Sequence, residues 1–203
     1  MDYVRPSSLK EAIDLLTEAN GNAVVMAGGS DLLVRMKGGF IEPDLIVDIK
    51  AIKGLGEIAQ SASGFSIGAA VPCAALGETA ALKQAWPGVV EASSLIGSRQ
   101  VQGRCTIAGN LCNASPAADS VPALVAAGAK AVIVGAEGTR TIAVEDVPTG
   151  PGRTSLAKGE IVRHQIIWRD WGRRLAECRA RLLVDVKRRA CGAASADVRW
   201  FVA

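Results

Sequence analysis

Two glycine-centred segments hold the residues best suited to bind a ligand. The longer is Arg104-Cys105-Thr106-Ile107-Ala108-Gly109-Asn110-Leu111-Cys112-Asn113-Ala114-Ser115-Pro116-Ala117-Ala118-Asp119-Ser120. Its first half is too rich in small and polar residues for an ordinary buried strand. Gly109 lacks a side chain and lets the backbone come close to a ligand, while Thr106, Asn110, Asn113 and Ser115 bring hydrogen-bonding groups. Its second half reads as a helix start, with Ser115 as the N-cap and Pro116 at the first helical position. Free N–H groups at a helix start favour negative charge. The chemistry indicated is the holding of an anionic or polar ligand. The shorter segment, Ala27-Gly28-Gly29-Ser30-Asp31-Leu32-Leu33, follows the apolar run Val24-Val25-Met26 and reads as a strand feeding a glycine turn. Taken alone, a double glycine after a strand is more often a turn than a ligand site. It is not a G-x-G-x-x-G fingerprint, and no helix pattern of Rossmann type follows it.

Composition narrows the class. At 203 residues the chain suits one ordinary domain or two small subdomains, and 49% hydrophobic with 4% aromatic residues describes a globular chain built on small aliphatic side chains. No apolar run reaches the roughly 18–20 residues that a membrane span needs. The start Met1-Asp2-Tyr3-Val4-Arg5-Pro6 has no charged region followed by an apolar core, so a cytoplasmic location is expected. The five cysteines, Cys73, Cys105, Cys112, Cys178 and Cys191, form no C-x-x-C pair, which argues against a disulfide framework or cysteine-ligated metal. His164 is the only histidine, which argues against a multi-histidine metal site and a Ser-His-Asp hydrolase. Residues 1–162 carry 13 Lys and Arg against 16 Asp and Glu, a balance of −3, whereas residues 163–203 carry 10 against 4, a balance of +6. The basic excess belongs to the tail, and the body shows no nucleic-acid footprint.

The elements that must position the two segments follow from periodicity. Ser8-Leu9-Lys10-Glu11 fits a capping box, and Leu9, Ala12, Ile13, Leu16 and Ala19 form one apolar face of a helix that Asn20-Gly21 ends. Continuous apolar runs over 23–27 and 45–49 predict strands buried on both faces, as in a parallel sheet. Residues 1–55 therefore read as a small α/β unit. Beyond it, a strand is expected over 64–71. Helices are expected over 72–83, 87–96 and 116–127, each opening on a proline. Strands of a second sheet are expected over 131–134 and 141–144, and 148–158 reads as a loop.

Both segments resemble the flavin-contacting segments of the FAD-binding subunit of molybdenum hydroxylases, the xanthine dehydrogenase and carbon monoxide dehydrogenase family. The first pattern there reads roughly A-G-G-x-[ST/D]-L-L, and the second T-[IV]-G-G-N followed by small residues, S-P and an Asp. Here Ala108 stands at the first glycine of the second pattern, which fits if its φ is negative. Tyr3-Val4-Arg5-Pro6 and Gly150-Pro151-Gly152-Arg153-Thr154 with Gly159-Glu160-Ile161-Val162 are similar to the family as well.

The resemblance implies an α+β, PCMH-type FAD-binding fold. It has a small N-terminal α/β subdomain (1–55) and a larger mixed or antiparallel sheet-plus-helix subdomain (56–162), with the C-terminal subdomain absent. It implies FAD as cofactor. Val25, Met26, Ala27, Gly28, Gly29, Ser30, Asp31 and Leu32 would wrap the pyrophosphate. Thr106, Ile107, Ala108, Gly109 and Asn110 would lie along the pyrophosphate, ribityl chain and flavin ring. Ile96 would pack on the dinucleotide, or else be a core-facing helix end; Asp119 would contact FAD, or else complement a helix dipole. Ser115 is read as a cap, and Cys105 and Cys112 as packing residues. The partners implied are a molybdenum–pterin large subunit, a [2Fe–2S] small subunit and an external electron acceptor. No side chain of this chain is assigned a catalytic role, because the cofactor carries the redox reaction.

The resemblance stops near Val162. Residues 163–203 hold 9 of the 15 arginines and 3 of the 4 tryptophans, and read as a truncated or frameshifted segment. The other reading is a basic helix with Trp168, Trp171, Leu175, Cys178 and Leu182 at three- and four-residue spacing. A free-standing flavin oxidoreductase of the same fold superfamily, or a truncated product without flavin or activity, are the alternative functions.

Overall fold

Two sheets of opposite character divide the chain, as seen in a computed structural model that describes residues 1–168. The first sheet is parallel, in the order β1 (Asp2–Val4), β3 (Leu45–Asp48), β2 (Ala23–Met26). Helix α1 (Leu9–Glu18) crosses between β1 and β2, burying Ala12, Ile13 and Leu16. Its cap is an offset form of the expected box. Ser8 Oγ accepts the Glu11 N–H at 3.2 Å, but the Glu11 carboxylate reaches back to the N–H of Ser7, at 2.8 Å. β3 is buried as a parallel strand should be, whereas β2 leaves Val25 36% exposed. Helix α2 (Ser30–Lys37) starts directly after Gly29 and buries none of its residues. A turn outside the G-x-G-x-x-G pattern therefore still opens a helix, one that the sequence pattern does not mark. With so little of it buried, α2 has too weak an apolar stripe to register as a periodic pattern.

The second sheet is antiparallel throughout, in the order β4 (Ile58–Ser61), β5 (Gly64–Gly68), β10 (Ile161–Trp168), β6 (Lys130–Gly135), β7 (Gly138–Ala143). Phe65, Ile67, Ile133 and Ile167 belong to the same hydrophobic core as Leu76, Leu82, Val89 and Leu124 of the helices. The helical run contains α3 (Cys73–Glu78), α4 (Ala80–Ala85), α5 (Pro87–Ser94), α6 (Arg99–Gln102), α7 (Ile107–Asn113) and α8 (Ser120–Ala126). The single helix expected over 72–83 breaks at Thr79, whose hydroxyl donates to the Ala75 carbonyl at 2.8 Å. The loop expected over 148–158 holds a short hairpin, β8 (Pro148–Gly150) with β9 (Arg153–Thr154).

β10 changes the reading of the chain beyond residue 162. It is the central strand, paired with β5 on one side and β6 on the other, so residues 163–168 belong to the sheet. Residues 169–203, on which the frameshift and basic-helix readings turn, lie outside the described residues.

The middle of β10 carries an anomaly. Gln165 is fully buried, and neither its amide nitrogen nor its carbonyl oxygen has a partner among the described residues. A buried polar group without a partner costs about 1–3 kcal/mol. Gln165→Leu should therefore raise the unfolding free energy by about 1–2 kcal/mol. A urea titration showing a lower midpoint for Gln165→Leu would contradict this.

Candidate functional site

The first segment leaves β2 through two glycines needed for different reasons. Gly29 has φ +78°, a left-handed conformation that side chains disfavour. Gly28 abuts the second segment. A Cβ there would overlap the Arg104 carbonyl oxygen and stand 2.8 Å from the Cys105 Cα. The turn opens α2 with no side-chain cap. As a result, the N–H groups of Gly28, Gly29, Ser30, Asp31 and Leu32 have no hydrogen-bond acceptor among the described residues.

The second segment is also a helix start, and it lies earlier than Ser115. Thr106, 2% exposed, is the N-cap of α7, and its Oγ1 accepts the Gly109 N–H at 2.9 Å. The N–H groups of Ile107 and Ala108 have no hydrogen-bond acceptor among the described residues. Ala108 sits in the helix at negative φ, so alanine fits where the family pattern has glycine. The helix ends at Ala114, in the left-handed region at φ +49°. Ser115 then shapes a turn, accepting the Ala117 N–H at 3.2 Å, and is not a helix cap. Helix α8 begins at Ser120 instead, held from a distance: Asn110 Oδ1 accepts the Ser120 N–H at 3.2 Å and its hydroxyl at 2.7 Å. Asn110 thus spends its carbonyl on the fold and keeps only its amide N–H groups for a ligand.

The two segments face a common cleft of about 390 Å³, within the range of small-molecule sites. Of the expected site residues, Val25, Met26, Ala27, Gly28, Gly29, Ser30, Asp31, Leu32, Ile96, Thr106, Ala108, Gly109 and Asn110 line it. Ile107 does not; it is fully buried in the core. Asp119 does not either; it is exposed at the start of α8, where its charge suits the helix dipole.

Sequence reasoning missed one wall of the cleft, formed by Leu156, Glu160, Ile161 and Val162, together with Arg35; Asn113, expected to bring a hydrogen-bonding group, lines it as well. The phrase Gly159-Glu160-Ile161-Val162, similar to the family, is the available signal. Glu160 is tied in place by Arg140, at 2.7 Å to each carboxylate oxygen, and this pairing holds its carboxyl below the usual glutamate range. Cys105 and Cys112 also line the cleft. Burial raises both thiols, Cys112 to about 12, so they remain protonated and form a neutral wall. No cluster of three or more metal-ligating side chains occurs among the described residues, and no helix among them is long and apolar enough to cross a membrane. The arrangement can bind a polyanion through backbone donors.

Because Gly28 meets backbone and not a flexible side chain, Gly28→Ala should force the segments apart, at a cost of about 1–3 kcal/mol. At Gly29, asparagine should be tolerated better than valine, since asparagine accepts positive φ and a β-branched residue does not. Thermal unfolding checks both. A Gly28→Ala protein melting with the wild type would refute the close-approach argument.

The similarities to known proteins agree with this geometry. Residues 1–167 match the family described as the FAD binding domain in molybdopterin dehydrogenase. The glyceraldehyde dehydrogenase medium chain of Sulfolobus acidocaldarius is 36% identical over 160 residues, covering 79% of this chain and 57% of that protein. The carbon monoxide dehydrogenase medium chain of Afipia carboxidovorans is 33% identical over 161 residues, covering 79% and 56%. The solved structure of reconstituted CO dehydrogenase from Oligotropha carboxidovorans superposes with a TM-score of 0.79 at 32% identity, covering 83% of this chain and 59% of that one. The chain spans a little over half the length of these relatives. With the fold, the paired glycine segments and the match over residues 1–167 in agreement, the chain belongs to the family of FAD-binding domains in molybdopterin dehydrogenases.

Proposed function

We propose that this chain supplies the FAD-binding part of a molybdenum hydroxylase complex, in which electrons pass from [2Fe–2S] clusters on a partner subunit through FAD to an external acceptor. The observation that carries the reading is the pair of facing segments with unsatisfied backbone N–H groups, in a chain that belongs to an FAD-binding family. Free amides converging on a cleft suit a pyrophosphate, whose oxygens accept several hydrogen bonds at once. The N–H groups of Gly28, Gly29, Ser30 and Asp31 would hold it from one side. The helix start at Thr106, with Ala108 and Gly109, would approach from the other, and the Asn110 amide would donate along the ribityl chain. Ile96 and Val162 offer apolar surface to the dinucleotide.

When bound, FAD supplies the electron-carrying chemistry, and the protein's part is to bind and orient it. The protonated thiols and the absence of a metal-ligand cluster among the described residues fit that division. Substrate oxidation is assigned to a molybdenum–pterin centre on a large partner subunit. In support, the relatives above are named for glyceraldehyde and for carbon monoxide, while sharing this domain. Co-expression with the partner subunits tests the assembly: iron and molybdenum should co-purify with the flavin. Flavin retained without either metal would favour a free-standing flavin oxidoreductase, and no flavin at all would favour an inactive product.

Asn110 offers a test of the cleft that leaves the fold intact. Asn110→Asp retains an acceptor for Ser120 but replaces the amide donors with a carboxylate beside the phosphates. Loss of a hydrogen bond to a charged group is worth about 1.5–3 kcal/mol. FAD affinity should therefore fall by roughly tenfold or more, read by flavin fluorescence. An unchanged dissociation constant would remove Asn110 from the site.

A further inference from the structure

The back of the glycine turn is tied to a charged side chain that does not line the cleft. Lys50 sits in the short 3₁₀ turn Ile49–Ala51 that follows β3. Its Nζ donates to the Ala27 carbonyl at 2.9 Å and pairs with Asp48 Oδ1 at 2.8 Å. Asp48 is 1% exposed, at the end of β3 opposite Met26, the last residue of β2. Burial alone would raise its carboxyl, but the hydrogen bonds from Lys50 and from the Tyr3 hydroxyl outweigh it and hold the group ionised. Its other cationic neighbour, Arg5, stands at 3.6 Å and is more than half exposed. Lys50 is therefore the close cation of a buried carboxylate, and that pairing fixes where its ammonium sits.

We propose that Lys50 is a positioning residue for the phosphate-binding turn, aiming the Gly28 N–H into the cleft by holding the Ala27 carbonyl out of it. The reason is planarity. No peptide bond among the described residues is cis, and in a trans peptide the carbonyl and the following N–H point to opposite sides. Ala27 and Gly28 both line the cleft and Lys50 does not, so a carbonyl turned toward Lys50 leaves the Gly28 N–H turned toward the ligand. That N–H has no acceptor among the described residues. Gly28 is conformationally permissive and is followed by Gly29, and without the tether the Ala27–Gly28 peptide could flip and present a carbonyl oxygen to a phosphate. An oxygen in place of a donor would repel the anion. The pairing with Asp48 also neutralises the ammonium, so Lys50 acts through geometry and not as an added charge on the ligand. This inference rests on the reading that the turn holds the FAD pyrophosphate.

The test compares Lys50→Met with Lys50→Arg in the full chain, measuring FAD dissociation constants by flavin fluorescence at a temperature where circular dichroism shows both proteins folded. Lys50→Met should bind FAD about tenfold more weakly, the scale of one ligand hydrogen bond lost. Lys50→Arg, which retains a donor and a charge for Asp48, should bind within about threefold of wild type. Should Lys50→Met not fold, Lys50→Gln takes its place under the same criterion, its shorter amide falling short of the Ala27 carbonyl. Wild-type affinity in a folded Lys50→Met or Lys50→Gln protein would overturn the positioning role. Equal loss in Lys50→Arg would overturn it too, by showing that any change at Lys50 perturbs the turn. A wild-type chain that binds no FAD would instead overturn the reading beneath it.

Discussion

The close approach of Gly28 to the backbone at Arg104 and Cys105 is the contact on which the site depends. It joins the parallel sheet of the N-terminal unit to the helical layer of the second unit at the point where both chains turn. Any side chain at Gly28 would separate them. Because they touch there, two short helix starts far apart in sequence open on one cleft, with most of their N–H groups lacking an acceptor among the described residues. In the proposed reading, the donors of Gly28 to Asp31 and those of the Thr106 start would reach a pyrophosphate together only while the contact holds.

Other contacts keep the two units in register around this junction. The Lys158 ammonium donates to the Ala19 carbonyl at the end of α1, at 2.8 Å. Gly159, at φ +81°, lies so close to α1 that a Cβ would overlap the Thr17 hydroxyl. The segment that follows, Glu160 to Val162, forms a wall of the cleft and then becomes the central strand of the second sheet. The cleft wall is thus anchored at one end on the N-terminal helix and at the other by strand pairing on both sides. Charge is distributed to match. Glu160 is neutralised by Arg140 and Asp48 by Lys50, so these two carboxylates are paired.

Much of this was legible in the residues. The apolar face of α1 and the uninterrupted apolarity of 45–49 yielded the helix and the parallel strand, because burial imposes a period that local sequence displays. Gly28-Gly29 after a strand marked the turn, and Thr106, Ala108, Gly109 and Asn110 marked the second segment. The failures share a cause. Helix α8 was placed too early because Ser115-Pro116 looks like a cap, whereas its true partner is Asn110, ten residues before Ser120. Helix α7 went unseen because its buried face, Ile107, Ala108 and Leu111, spans less than two turns and sits among glycine and polar residues. Strand β10 was cut short because its composition changes at residue 163 while its hydrogen bonding continues.

What the sequence by itself determined is the local chemistry: which residues cap, turn, omit a side chain or carry a donor. These properties belong to single residues and near neighbours. Tertiary structure alone decided which donors share a space. It placed Leu156 and Val162 beside the glycine turn, moved Ile107 into the core, and left Asp119 outside the cleft. It also engaged the Asn110 side-chain oxygen with Ser120, an interaction within the fold. Such outcomes depend on which surfaces pack together, and packing couples residues whose separation along the chain leaves no local trace.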